Sequence, residues 1–317
     1  MKDLKITNSI NGRREFISML TAAAAMGIIN SNGVMGASLA DQAGNAGQPE
    51  PAMPTIALGP HRISRLICGS NPILGYSYMG PHTDRQMKEY FTTERTVEFL
   101  RNCEQAGITA HQFSSNFDYF PLLREQGSNL KLICLHSQIE KIGDAIQIAR
   151  PIAIVHHGGV TDRLFAEGNS KLVKEFVKAV KDRGLLAGVS SHNPNVIKQI
   201  ADEGWEVDFF MTCFYFLTRK SFNKEEPNAT LNVGSYPFFK DDPNVMTKVI
   251  RQVKQPCLAF KILGAGRLCA SQESVRSAFK FAFGNIKPTD GVIVGMFPWY
   301  FNEIGANAQY ARELGSL

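Results

Sequence analysis

Eight short apolar runs, each followed by sequence with helical periodicity, predict a (β/α)8 barrel of the TIM type. Three observations carry this expectation. The runs are almost continuously apolar, as parallel strands covered on both faces must be. The alternation fills residues 56–317, close to the roughly 250 residues typical of such a barrel. No Gly-x-Gly-x-x-Gly follows any run, which counts against a doubly wound dinucleotide fold: Gly264-Ala265-Gly266 is followed by Arg267-Leu268-Cys269, so the third glycine is missing.

The predicted strands are Ile63–Gly69, Ile108–Phe113, Leu130–His136, Ile152–His156, Leu185–Ser190, Val207–Cys213, Cys257–Leu263 and Gly291–Gly295. Among the helical stretches, Thr93–Ala106 sets Val97, Leu100 and Cys103 on one face, and Lys171–Arg183 sets Leu172, Phe176 and Val180 on one face with Lys and Glu opposite. Stretches 195–203, 245–253, 273–283 and 301–314 continue the series. Asn193-Pro194 and Asp242-Pro243-Asn244 read as helix openings, because the first turn leaves unused the N–H that proline lacks. Two connections, 70–92 and 214–241, exceed ordinary loop length and are expected over the face that carries the chemistry.

Residues 1–40 read as an address rather than as fold. Arg13-Arg14-Glu15-Phe16-Ile17 precedes the uncharged stretch Ala22 to Ile29, and Ser38-Leu39-Ala40 is a small-x-small triplet suited to signal peptidase. The apolar stretch of about a dozen residues falls short of the roughly 20 that span a bilayer. The segment resembles a twin-arginine signal, which implies export to the periplasm or beyond, the export machinery as a partner and no membrane span. Residues 41–55, rich in Gly and Pro, read as a flexible leader, and 56–317 as a single barrel domain.

Of the 317 residues 44% are hydrophobic and 20% charged, which excludes disordered, collagen-like and coiled-coil classes. The net charge of +5 is dispersed, with no basic run, so a small molecule rather than a nucleic acid is the expected partner. Six cysteines are too few for a disulfide scaffold, and Cys68, Cys134, Cys213 and Cys257 lie in strand runs as buried thiols.

Chemistry in this fold gathers at the C-terminal ends of the strands. Those positions hold Asn71; Gln112, Ser114 and Asn116; His136 and Gln138; His156 and His157; Ser190, Ser191 and His192; Cys213 and Tyr215; Lys261; and Met296, Phe297 and Trp299. Five of the seven histidines stand at or beside strand ends. No Asp or Glu does, the nearest being Asp118, so Mg²⁺ and Ca²⁺ lack their usual oxygen ligands. Zinc or iron held by neutral imidazoles is the metal chemistry this set allows, with His136, His156 or His157, and His192 as ligands. The alternative is that the histidines hydrogen-bond a neutral ligand or one another. One of His156 and His157 must face the helical layer, because successive strand residues point to opposite sides. Lys261, beside Phe260 and Ile262, either enters the site or reaches solvent past the rim.

The order of segments resembles the aldo/keto reductase superfamily from about Arg62 onward. Ala106-Gly107-Ile108-Thr109 is similar to the junction before the family's catalytic aspartate, Ile152–His156 to the strand that delivers its catalytic histidine, and Ala187-Gly188-Val189-Ser190-Ser191-His192-Asn193 to its Gly-Val-Ser-Asn segment at the nicotinamide amide. Gly291–Met296, with Glu303 and Asn307 after it, is similar to its last strand and adenine-side helix. The resemblance implies the barrel and, for a nucleotide cofactor, contacts from Ser190, Arg267 and Asn307. The family's Asp-Tyr-Lys-His set does not carry over. Gln112 stands at the aspartate position, about Phe117 at the tyrosine position, and Leu135 or His136 at the lysine position; His156 alone matches, with Tyr119 as a displaced tyrosine. Met296-Phe297-Pro298-Trp299-Tyr300 offers no Lys or Arg to a 2′-phosphate, which argues against NADPH bound in the family's manner.

These residues point to an exported enzyme for a small neutral polar substrate, sugar-derived in character. His156, His157, His136 and Lys261 form its catalytic set, and Asn71, Gln112, Asn116, Gln138, His192, Tyr215 and Trp299 bind the ligand. The reaction classes are elimination, isomerisation or hydrolysis. A divergent NAD(P)-dependent oxidoreductase and a non-catalytic binding barrel are the alternatives.

Overall fold

A computed structural model describes residues 51–114, 118–219 and 236–316. The signal, most of the leader, Asn116 and Phe117 lie outside the described residues. The chain opens with a hairpin, β1 (Thr55–Leu58) and β2 (His61–Ser64), and then enters a closed, all-parallel barrel. Its strands are β3 (Leu66–Gly69), β4 (Ala110–Ser114), β5 (Lys131–His136), β6 (Ala153–His156), β7 (Leu186–Ser191), β8 (Phe209–Cys213), β9 (Cys257–Phe260) and β10 (Gly291–Gly295). They pair in chain order, and β10 closes on β3 through Val292↔Leu66 to Gly295↔Gly69.

The helices outside are α1 (Pro81–Tyr90), α2 (Thr93–Gln105), α3 (Phe120–Glu125), α4 (Ile142–Ala149), α5 (Gly158–Ala166), α6 (Ser170–Lys181), α7 (Pro194–Asp202), α8 (Asp242–Gln252), α9 (Gln272–Asn285) and α10 (Glu303–Leu314). Thr92, Asn193, Ser271 and Asn302 cap α2, α7, α9 and α10 through side-chain oxygens that accept first-turn amides. The connection 70–92 is shorter than the sequence implies, since α1 occupies half of it. In α6 the buried face is Val173, Phe176, Val177 and Val180; Leu172 is exposed, one position off the predicted stripe.

The predicted first strand, Ile63–Gly69, divides in two. Its first part belongs to the hairpin, whose turn places Gly59 at φ +56° where a Cβ would strike Leu186. The predicted leader likewise ends slightly sooner, because Thr55 already pairs with Ser64. The apolar residues of the hairpin, Ile56, Leu58 and Ile63, join Ile67, Ile133, Val155, Phe209, Leu258 and Ile293 in a cluster that fills the lower barrel. Room for Phe209 comes from Gly188, where a Cβ would lie 2.7 Å from the ring. The larger apolar cluster lies between sheet and helices.

Arg65 links β2 to β3 and is buried. Its guanidinium donates to the carbonyls of Asp290 (2.8 Å), Lys287 (2.9 Å) and Gly315, and lies 4.8 Å from the centre of the Phe283 ring. It thereby ties the hairpin to the last strand and the C-terminal helix. Arg65→Met removes the donors and leaves three carbonyls under-satisfied. It is expected to lower the unfolding free energy by about 3 kcal/mol, read as a fall in the urea midpoint at unchanged slope.

Candidate functional site

At the C-terminal end of the barrel the strand ends and the long connections enclose a cavity of about 440 Å³, the size of a small-molecule site. Its wall includes Asn71, Gln112, His157, Ser190, His192 and Lys261 from the strand ends. Tyr76, Tyr78 and Met79 reach it from the first long connection, and Leu217, Thr218 and Tyr236 from the described parts of the second.

The period of two along each strand decides which predicted residues arrive there. On β6, Val155 is in the inner cluster, so His156 points out among the helices. It is buried, donates through Nδ1 to Thr161 Oγ1 at 2.7 Å, and lies edge-on to Phe176 at 4.9 Å. The expectation of His156 as a catalytic residue is therefore corrected: it is a core histidine, and His157 is the one at the cavity. On β4 the same alternation turns His111 outward, where Nδ1 donates to Cys68 O (3.1 Å) and Nε2 accepts from Tyr119 OH (2.9 Å). Tyr119 is thus buried on the helix side, its hydroxyl pushed up by desolvation, and is not a displaced proton donor for the cavity.

Several other predicted residues lie elsewhere. His136 is half-buried and off the cavity wall; its Nδ1 accepts from the amides of Ser137 (3.0 Å) and Gln138 (3.1 Å). The Gln138 side chain is exposed. Tyr215 is buried against Phe238 (4.9 Å), and Trp299 stacks on Phe297 (6.0 Å) with half its surface in solvent. Arg267 lies 3.8 Å over the Phe238 ring and donates to Gly264 O and Ala265 O, away from the cavity wall. Ser190 and Asn307 do line the cavity. The proposed metal set of His136, His156 and His192 is not brought together, since His156 faces the other side of the sheet. Among the described residues no group of three His, Cys, Asp or Glu is placed to hold a metal ion.

The strand-end reading found no carboxylate, and this is corrected by α5. Asp162, one turn into that helix and buried, accepts from His192 Nδ1 (2.9 Å), the His192 amide (3.0 Å), Thr218 Oγ1 (3.0 Å) and Ser191 Oγ. With Nδ1–H committed to Asp162, the free nitrogen of His192 is Nε2, on a ring that lines the cavity. Burial lowers the pKa of His157, reinforced by the charge of His192, so His157 favours its neutral form. Glu303, the second carboxylate that the strand-end scan passed over, opens α10 at the far end of the cavity. Burial raises its pKa, against an opposing hydrogen bond from the Phe297 amide at 2.8 Å. Both lie within the first five residues of the helix that follows a strand, and an acidic residue in that position is the sequence signal for them.

Lys261 ends β9 by turning left-handed, at φ +59°, a conformation costly for a residue with a Cβ. The turn takes it out of the strand period and onto the cavity wall, with Nζ 4.1 Å over the Tyr78 ring. Of the two readings of Lys261, entry into the site is the one observed.

No family model and no curated protein matches the sequence. Among solved structures, the chain is similar to an aldo-keto reductase from Bacillus halodurans. The holo form has 12% identity and a TM-score of 0.54 over 81% of this chain and 90% of that one. The apo form has 14% identity and a TM-score of 0.51 over 82% and 90%. At this identity the likeness shows the fold, an eight-stranded parallel barrel of the kind aldo-keto reductases have.

Two outcomes follow from the histidine environments. His156 is held down to a pKa of about 4, first by burial and then by the charge of His157. Because the unfolded chain binds this proton near pH 6.5, His156 favours the folded state above that pH, and its contribution falls away as the pH drops towards 4. His156→Gln is expected to flatten the pH dependence of urea unfolding between those values by about 3 kcal/mol. For His192, two-bond ¹H–¹⁵N spectra at neutral pH are expected to show the Nδ1–H tautomer in the wild type and its loss in Asp162→Asn.

Proposed function

We propose that the chain is an exported barrel enzyme that acts on a small, hydroxyl-rich, sugar-derived substrate by histidine acid/base chemistry. The observation that supports this best is the Asp162–His192 pair: a buried carboxylate fixes Nδ1–H and leaves Nε2 basic on a ring at the cavity wall. Nε2 takes a proton from a carbon next to the substrate carbonyl. The imidazolium then returns it to the former carbonyl carbon while the hydroxyl proton of the first carbon passes to the former carbonyl oxygen, giving isomerisation, or it protonates a departing β-hydroxyl, giving elimination of water. Lys261 supplies positive charge near the oxygen that gains electrons. Asn71, Gln112 and Asn307 line the cavity and form no side-chain hydrogen bonds among the described residues, which suits the hydroxyls of a ligand. Tyr76 and Phe301 add apolar surface at the mouth.

A second reading is a divergent NAD(P)-dependent oxidoreductase. The cavity runs on beneath Ala265 and Gly266 to Gln272, Glu303 and Asn307, further than a small substrate needs. No arginine lines this arm, so NADH suits it better than NADPH. Titration with NADH that neither quenches tryptophan fluorescence nor gives heat in calorimetry rejects this reading.

Export is supported by Arg13-Arg14 ahead of an uncharged segment and by Ser38-Leu39-Ala40. Replacing both arginines by lysine is expected to retain the protein, unprocessed, in the cytoplasm. The chemistry is tested by ¹H NMR in D2O over a panel of aldoses, ketoses and sugar acids. The wild type is expected to exchange the proton next to the carbonyl of at least one member, His192→Gln to slow this about 10²–10⁴-fold, and Asp162→Asn to slow it to a comparable degree. Exchange that persists undiminished in His192→Gln rejects the assignment.

A further inference from the structure

We propose that the cavity seats a carboxylate of its ligand at the start of α5, so that the substrate is a hydroxy acid of sugar size rather than a neutral sugar. The proposal rests on the reading of this cavity as the substrate site, and it replaces the wholly neutral ligand that the strand-end residues suggest.

The first observation is the way α5 begins. The helix has nine residues, and its first two, Gly158 and Gly159, are both on the cavity wall. The opening amides of a helix have no partner within it, and they sit at the positive end of its dipole. Here the usual substitute is absent, for the preceding residue, His157, makes no side-chain cap. Its own amide goes elsewhere, to His136 O at 2.8 Å. The amides of residues 158–160 therefore have no acceptor among the described residues. A side chain would block this access: a Cβ on Gly158 would lie 2.8 Å from Ser190 Oγ and 3.2 Å from His192 Cε1.

The second observation is independent of the helix. Ser190, on the neighbouring strand β7, is 1% exposed, yet it lines the cavity and its hydroxyl makes no hydrogen bond among the described residues. The side chain is otherwise enclosed, its hydroxyl opens onto the cavity without a protein partner, and it faces the start of α5, 2.8 Å from where a Cβ on Gly158 would lie. The third observation is charge. Lys261 is on the cavity wall, forms no ion pair among the described residues, and rests on the Tyr78 ring instead. Amide donors, a hydroxyl donor and a free ammonium together suit an oxyanion.

The balance of charge selects a carboxylate over a phosphate. Lys261 is the one lysine on the wall and no arginine is there, while Asp162 and Glu303 add negative charge nearby. A phosphate would bring about −1.5 to −2 charges, for which this wall has too little compensation.

The test is calorimetric titration of the full chain with glucuronate, glucose and inorganic phosphate. Glucuronate is expected to bind at least about tenfold more tightly than either of the others. Ser190→Ala is expected to weaken glucuronate several-fold while leaving glucose unchanged, Lys261→Met to weaken glucuronate several-fold more than glucose, and Gly158→Ala to remove the preference, with thermal melts checking that each variant is folded. Equal affinity for glucose and glucuronate, tighter binding of phosphate, no binding of glucuronate, or an unchanged preference in both Ser190→Ala and Lys261→Met overturns the proposal. His192→Gln separates it from the acid/base reading. Carboxylate-selective binding without any proton exchange overturns that reading and leaves this one standing; exchange of neutral sugars without carboxylate preference does the reverse.

Discussion

The carboxylate of Asp162 accepts hydrogen bonds from a side chain on β7, from both the amide and the ring of His192, and from Thr218 beyond β8. A buried carboxylate is tolerated only when its oxygens are engaged in this way. Its need for partners is what fixes two separate segments, the end of β7 and the connection after β8, against α5. The residue before it does the converse work. Thr161 donates a hydrogen bond to His157 O and accepts one from His156 Nδ1, which locks the second histidine into the helical layer. Adjacent positions on one helix thus hold one imidazole at the cavity and another away from it. The short helix α5 is the organiser of the site, although none of its side chains resembles a catalytic residue in sequence.

The constraint beneath this is the strand period. On β6 the inward Val155 sends His156 outward, and the chain turns at His157 to begin the helix, so that the third imidazole of the region returns to the cavity. The same alternation separates Gln112, inward on β4, from His111, outward and tied to Tyr119. A cluster of strand-end histidines in sequence is thereby divided between two environments with opposite demands. One encloses the ring between sheet and helices; the other places it on the cavity wall.

The barrel was legible because eight apolar runs record their own burial, and nothing but parallel strands covered on both sides asks for that pattern eight times. The places where the reading slipped have local causes. The run Ile63–Gly69 is continuous in apolarity although Arg65 interrupts it in space, and the arginine is buried only because three carbonyls from far along the chain meet it. Cys257–Leu263 looks like strand throughout, but the strand stops at Phe260 because Lys261 adopts φ +59°. Of the site, Asn71, Gln112, His157, Ser190, His192, Lys261 and Asn307 were legible as strand-end or helix-face polar residues. Asp162 was not, because it arrives by helical rather than strand geometry: a turn of helix after the strand brings it back over the end of the next one.

The left-handed turn at Lys261 also decides the polarity of the cavity. Had the strand continued, the side chain after Phe260 would have pointed into the helical layer, and the cavity would have had no lysine. With the turn, positive charge and helix amides gather where β6, β7 and β9 end, while Glu303 and Asn307 stand at the start of α10 on the far side. Burial raises the pKa of Glu303, which favours its neutral form. A ligand that carries an oxyanion at one end and hydroxyls along its length meets complementary groups in only one orientation. In the pose proposed above the anionic end lies at the start of α5, where a Cβ on Gly158 would be 3.2 Å from His192 Cε1, and the carbons next to the carboxylate lie towards that ring. On the function proposed above, proton abstraction at those positions falls to the Asp162–His192 pair.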